Sequence, residues 1–212
     1  MTTKIKNKQL ELLLNDFKLL SQTAMTQMQI ATKLLENNSI EELYEEAESN
    51  EIIMDRLEIK VREEVVFTIF QFNPIAADLR KIITYQDITT NLERIGDTLL
   101  NIIHFLKKTN LSSANFSEVN KEIEIMMGYA GEMLRNAIYS FSYEDSQIAY
   151  NVIKEDDKVD ELFHQIAISL QKSFENRKLS KTEIQSIINA NAIAYNLERI
   201  GDSATNIAEA TI

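Results

Sequence analysis

Carboxylates recur in pairs four residues apart along this chain: Glu51 with Asp55, Glu93 with Asp97, Asp156 with Asp160, and Glu198 with Asp202. The second and fourth pairs lie inside the same heptapeptide, Asn-Leu-Glu-Arg-Ile-Gly-Asp, which runs from Asn91 to Asp97 and again from Asn196 to Asp202. The copies are 105 residues apart, and the same offset carries Glu51 onto Asp156 and Asp55 onto Asp160. Neighbouring positions have drifted, since His104 falls on Glu209 and Pro74 on Leu179. Acids kept in register across a diverged duplication point to a use for them. Spacing by four puts both members of a pair on one helix face, a turn apart. Two carboxylates near 4 Å repel by about 1 kcal/mol in bulk water and about 4 kcal/mol at an effective dielectric of 20. Hard cations that take carboxylate oxygens as ligands remove that cost. A solvated acidic face explains any single pair, but repetition in register favours cation coordination.

Long helices must position these acids. Four Gly and one Pro in 212 residues are far below ordinary usage of about 7% and 5%. Ser39-Ile-Glu-Glu42 and Ser180-Lys-Thr-Glu183 read as capping boxes that start helices. Asn73-Pro74 reads as a third start, with Asn as the cap and Pro at the first helical position. Residues 109–115 separate the halves, and 142–146 interrupt the second. Six helices are predicted, over about 5–36, 40–71, 74–108, 116–141, 145–175 and 181–211, with lengths near 30 residues and hence roughly 45 Å. The third has an apolar stripe in Ile88, Leu92, Ile95, Leu99, Ile102 and Leu106, and the sixth repeats it in Ile193, Leu197, Ile200, Ala204 and Ile207. The expected fold is all-α, two tandem three-helix bundles spanning residues 1–110 and 111–212. Glu93 and Asp97 then point away from the stripe, and Glu51 and Asp55 share the neighbouring helix with Glu48 and Glu58. Packed axes about 8–10 Å apart let acids along one edge converge. Gly96 and Gly201 each sit between the two acids of a pair, although Gly costs about 1 kcal/mol relative to Ala inside a helix. Close helix approach and access for an ion both account for them.

Composition removes other classes. The net charge of −11 and the lack of a basic stripe argue against nucleic acid. The absence of Cys excludes disulfides and thiolate ligands. The basic N-terminus lacks the apolar core of a signal peptide, and no apolar run nears the roughly 20 residues of a membrane span. A cytoplasmic protein without direct membrane insertion is expected. No Gly-rich phosphate loop and no Ser/His/Asp arrangement appears, so no catalytic site is expected. Met126, Met127, Gly128 and Gly131 on the fourth helix would permit a close contact and a homodimer.

The repeated heptapeptide, followed in its second copy by Ser-Ala-Thr-Asn-Ile-Ala-Glu (Ser203 to Glu209), resembles the signature of the PhoU family of phosphate-uptake regulators. The resemblance extends to the segment Gln71 to Arg80 and to Asp156-Asp-Lys-Val-Asp160. It implies multinuclear metal clusters, of iron or zinc, on the surface of each bundle. Carried over, Glu51, Asp55, Glu93 and Asp97 would hold one cluster and Asp156, Asp160, Glu198 and Asp202 the other. By ligand type alone Mg, Mn or Ca would also suit. The resemblance further implies a negative regulator of the phosphate-starvation response that contacts the phosphate-specific ABC transporter and a sensor histidine kinase. The second half departs from the pattern, because Asp78 and Arg80 have no counterparts before the sixth helix.

Two other classes compete. A ferritin-like di-iron protein needs two Glu-x-x-His pairs. Glu161-Leu-Phe-His164 supplies one, and His104 is preceded three residues earlier by Asn101. A metal-free helical scaffold would share the fold and charge but gives no reason for acids held in register.

Overall fold

The scarcity of helix breakers and the apolar stripes are realised as six helices: α1 (Thr2–Glu36), α2 (Glu41–Phe72), α3 (Ala77–Lys107), α4 (Ser117–Tyr143), α5 (Ser146–Phe174) and α6 (Lys181–Glu209). A 3-10 turn, Ala114–Phe116, leads into α4. The computed structural model describes residues 2–109, 111, 113–175 and 177–212, with side chains from Glu11 onward. Asn110 and Ser112, in the segment read as a separator, lie outside the described residues.

Helices α1 to α3 pack on one another, and so do α4 to α6, forming two three-helix bundles. Helix α1 runs antiparallel to α2, with Lys60 Nζ 2.7 Å from Asp16 at one end and Gln27 Nε2 donating to the Ala47 carbonyl further along. The bundles join mainly through α3 against α6, with a smaller contact between α1 and α4. The stripes predicted on α3 and α6 are buried throughout, and one continuous apolar core spans both bundles. Phe17, Tyr85 and Phe141, from α1, α3 and α4, pin the junction by edge-on packing at centroid distances of 5.1 to 5.6 Å. Such pairs add about 0.5–1.5 kcal/mol each beyond their buried area. Of the fourth-helix residues expected to permit a dimer, Gly128 is exposed, with nothing within 4 Å of an added Cβ, while the other three serve the chain's own packing. Met126 and Met127 are buried, and a Cβ on Gly131 would stand 3.0 Å from Met28 of α1.

Helix starts follow local chemistry, and two of them differ from expectation. Ser180 caps α6 as predicted, its hydroxyl accepting from the Glu183 N–H while the Glu183 carboxylate accepts from the Ser180 N–H. Ser39 does not cap α2. Its N–H donates instead to the Asn37 side chain, and Ile40 precedes the helix without a side-chain bond. The turn is held by Asn38, whose amide reaches the Leu106 and Thr109 carbonyls. Asn73 ends α2 rather than starting α3. It adopts φ 42°, and its N–H donates to the Ile69 carbonyl. Asn tolerates this left-handed conformation, and a Pro that cannot continue the helix commonly follows it. Helix α3 therefore begins three residues after Pro74. In the second half Asp145 caps α5, accepting from the Gln147 and Ile148 N–H groups.

The α6 cap is exposed, so Ser180→Ala should remove about 1 kcal/mol of stability. A melt should show a fall of about 2–4 °C, and an unchanged transition would mean the capping box contributes nothing.

Candidate metal centre

The apolar phase of α2 decides which acid is buried. Ala47, Met54, Leu57, Val61 and Val65 face the core, and Glu51 falls on the same side, only 8% exposed. Asp55 on α2 and Asp97 on α3 are exposed. One carboxylate oxygen from each of Glu51, Asp55 and Asp97 lies within 4.8 Å of the others. Both Glu51 oxygens are buried and receive no hydrogen bond. Burial is the main reason the Glu51 carboxyl rises from 4.5 to about 8. The closeness of the Asp97 carboxylate, and then the charges of Asp97, Asp55 and Glu93, add to the rise. Glu93, half-buried beside the trio, is also raised, first by burial and then by Asp97, Glu58 and Asp55.

Gly96 makes this arrangement possible. A Cβ there would stand 2.7 Å from the Met54 thioether and 3.3 Å from Glu51 Oε2. Both accounts of the glycine therefore hold: it lets α2 approach α3, and it leaves room for the buried carboxylate. The remaining acids of the row have partners of their own. Glu58 is buried and paired with Arg62, with the Thr90 hydroxyl beside it. Glu48 lies 2.7 Å from His104 Nε2.

The second bundle repeats the geometry with a shorter arm. Asp156 occupies the place of Glu51, Gly201 that of Gly96 and Val159 that of Met54. A Cβ on Gly201 would stand 3.1 Å from Asp156 Oδ1 and 3.4 Å from Val159. Burial, followed by the charges of Asp160, Asp202 and Asp157, pushes Asp156 from 3.8 to about 6. Glu198 is raised by burial and then by Asp202, Asp160 and Asp156. These acids feel one another, yet among the described residues no three of them bring oxygens within 4.8 Å as the first trio does. Asp156 is one methylene shorter than Glu51. Ile153 and Phe163 stand where the first bundle has Glu48 and Glu58. His164 does not join the acids through its ring, because Nδ1 lies 2.8 Å from the Asp160 backbone carbonyl.

Residues 17–106 and 123–211 each match the PhoU domain. The chain belongs to the PhoU family. It is 30% identical to the phosphate-specific transport system accessory protein PhoU homolog of Clostridium acetobutylicum, over 100% of this chain and 94% of that protein. Its fold matches the crystal structure of PhoU from Pseudomonas aeruginosa with a TM-score of 0.85 at 25% identity, covering 97% and 96% of the two chains. PhoU from Streptococcus pneumoniae shares the fold with a TM-score of 0.73 at 16% identity, over 100% of this chain and 95% of that one. The protein is thus a PhoU-type phosphate-regulatory protein of an all-helical, non-catalytic family. No helix among the described residues is long and apolar enough to cross a membrane.

Glu51 makes stability depend on pH. An acid with a raised folded pKa holds its proton more tightly in the folded chain. Its contribution is full below 4.5 and is lost as pH rises through about 8. Metal-free protein should therefore lose stability between those limits, with Asp156 contributing between 3.8 and about 6. Glu51→Gln should flatten the upper part of this slope. At pH 8 it should raise the unfolding free energy by about 1–3 kcal/mol, because a buried unpaired charge is gone. Urea unfolding in chelator at pH 5 and pH 8 measures both, and an equal slope in the two proteins would refute the assignment.

Proposed function

We propose that this chain is a metal-dependent negative regulator of phosphate uptake and of the phosphate-starvation response. The observation that carries the metal reading is Glu51, a buried carboxylate with both oxygens unpartnered, facing Asp55 and Asp97 within 4.8 Å. Unpaired buried charge is costly unless a cation takes it up. Glu51, Asp55, Glu93 and Asp97 would hold one cluster, and Asp156, Asp160, Glu198 and Asp202 the second. An all-oxygen donor set suits hard cations, and iron or zinc follow from the family, with Mg, Mn or Ca compatible with the ligands. Bound cations would supply positive charge that lets the carboxylates stay ionised together at neutral pH.

The residues of this chain do the rest. Gly96 and Gly201 keep the buried acid of one helix against the backbone of the next. Asp55, Asp97, Asp160 and Asp202 are exposed, so each cluster would form part of the protein surface, where a partner could touch it. We place the chain in the cytoplasm, acting on the phosphate-specific ABC transporter and a sensor histidine kinase. The transporter is supported by the relatives' description as accessory proteins of phosphate-specific transport.

Purified without chelator, the wild-type chain should carry metal at two sites. Asp97→Asn should empty the first site and leave the second largely filled, and Asp202→Asn should do the reverse. Full metal content in both variants would remove these residues as ligands. Chelation should lower the melting temperature by mass action, by up to about 2.7 kcal/mol of stability where free metal stood at 100 times its Kd. In cells, deleting the gene should raise phosphate-responsive transcription in phosphate-rich medium, and a variant lacking Glu93, Asp97, Glu198 and Asp202 should fail to restore repression. Unchanged expression and uptake after deletion would end the regulatory reading.

A further inference from the structure

Arg80 closes the segment that the second half of the chain lacks, and the acidic clusters give it no task. It sits in the opening turn of α3, 17 residues before Asp97 and so about 25 Å along the helix from the first cluster. There the start of α3 meets the ends of α4 and α6, and a cavity of about 350 Å³ opens between them. One water molecule takes a share of about 30 Å³, so the space holds a small molecule rather than a few waters, and it falls within the size range of ligand sites.

One wall of the cavity is a single face of α3, because Arg80, Lys81, Thr84 and Tyr85 are spaced by one turn. Leu14 and Phe141 give an apolar wall. Tyr85 is only 6% exposed, yet no hydrogen bond reaches its hydroxyl among the described residues. The charges of Lys81 and Glu144, both in the lining, act on that hydroxyl, which places it on the cavity side of the ring. Burial raises its pKa above 10.0, so it keeps its proton and remains a donor at neutral pH. Arg80 is exposed and makes no ion pair among the described residues. Lys81 Nζ lies 2.7 Å from Glu144 and cancels that acid, which leaves the lining positive at Arg80 in a chain of net charge −11. The Thr84 hydroxyl already donates to the Arg80 carbonyl. The donors left over are the Arg80 guanidinium, the Lys81 ammonium and the Tyr85 hydroxyl. Donors of this kind on one helix face suit an anion with several acceptor oxygens, and a guanidinium fork matches phosphate with two parallel hydrogen bonds.

We propose that this cavity binds a small phosphate monoester, its phosphate held by Arg80 and Tyr85 with Lys81 beside them, and its body against Leu14 and Phe141. The site does not depend on the metal reading. Tyr85 and Phe141 also belong to the ring cluster that pins the two bundles together, so a ligand here would touch the junction itself.

Titration calorimetry of the full-length chain with AMP and with glycerol 3-phosphate tests it, in chelator so that no cluster-bound cation can take the phosphate. The wild type should bind at least one of them saturably at one per chain, and adenosine and glycerol should not bind. Arg80→Gln should weaken binding by about tenfold or more, since a charge-assisted pair is lost. Tyr85→Phe keeps the ring packing and should weaken binding by about three- to tenfold, as expected for one hydrogen bond. Arg135→Gln removes an exposed cation of α4 outside this cavity and should change nothing. Circular dichroism and melting of the variants should match the wild type; should Arg80→Gln fold poorly, Tyr85→Phe still decides the question. Vesicles containing phosphatidic acid offer the same monoester on a lipid, and their capture of the wild type but not of Arg80→Gln, without binding of either soluble ester, would overturn a soluble ligand in favour of a headgroup. No binding of either ester or of the vesicles overturns the proposal, as does binding indifferent to both Arg80→Gln and Tyr85→Phe. Succinate bound as tightly as the esters would overturn the assignment to phosphate.

Discussion

Close approach of two helices at a glycine underlies both acidic clusters. In the first bundle the backbone at Gly96 lies against Met54 and Glu51, and in the second the backbone at Gly201 lies against Asp156 and Val159. The apolar member of each pair anchors the acid beside it: Met54 and Val159 are fully buried, so the turn of helix that carries them is fixed in depth. One turn away, Glu51 is drawn below the surface while Asp55 stays in water. The carboxylates do not gather through attraction. Core burial on the other side of the same helices outweighs their repulsion, and the raised carboxyls of Glu51, Glu93, Asp156 and Glu198 record what that repulsion and burial cost.

Duplication has left two acidic clusters of one plan and different geometry. Glutamate in the first bundle reaches the exposed aspartates, whereas the shorter Asp156 leaves its cluster more open. The first row is also longer, with Glu58 held by Arg62 at its far end, where the second bundle has Phe163 and Ala167. Arg62 opposes the rise of Glu93 and so supplies part of the positive charge the row needs.

Much of this was legible in the residues. The repeated heptapeptide located the acids, and the stripes on α3 and α6 are buried as their period requires. Six helices in two bundles followed from periodicity and from the rarity of Gly and Pro. Local capping is less legible in the residues. Ser39 and Asn73 both have the right residue type for a helix start, but Asn37 and Asn38 took over the first turn and a left-handed Asn73 closed α2 instead. In the sequence the four acids of a quartet look alike. Their difference in burial depends on the phase of the core, and counting back from Met54, Leu57 and Val61 would have put Glu51 on the buried side. The partner of Glu58 was hidden because Arg62 lies one turn on, in a stretch where several acids and bases could pair.

Calorimetric titration of the metal-free chain with Mn2+, in buffers of different ionisation enthalpy, tests the central claim most directly. If Glu51 is the buried ligand of the first site, a carboxyl raised to about 8 must give up its proton when a cation takes its oxygens. Binding at pH 7 should then release close to one proton at that site, the release should fade toward pH 9, and Glu51→Gln should abolish it. Proton release that is unchanged in Glu51→Gln, or a wild-type chain that takes up no cation, would contradict the account.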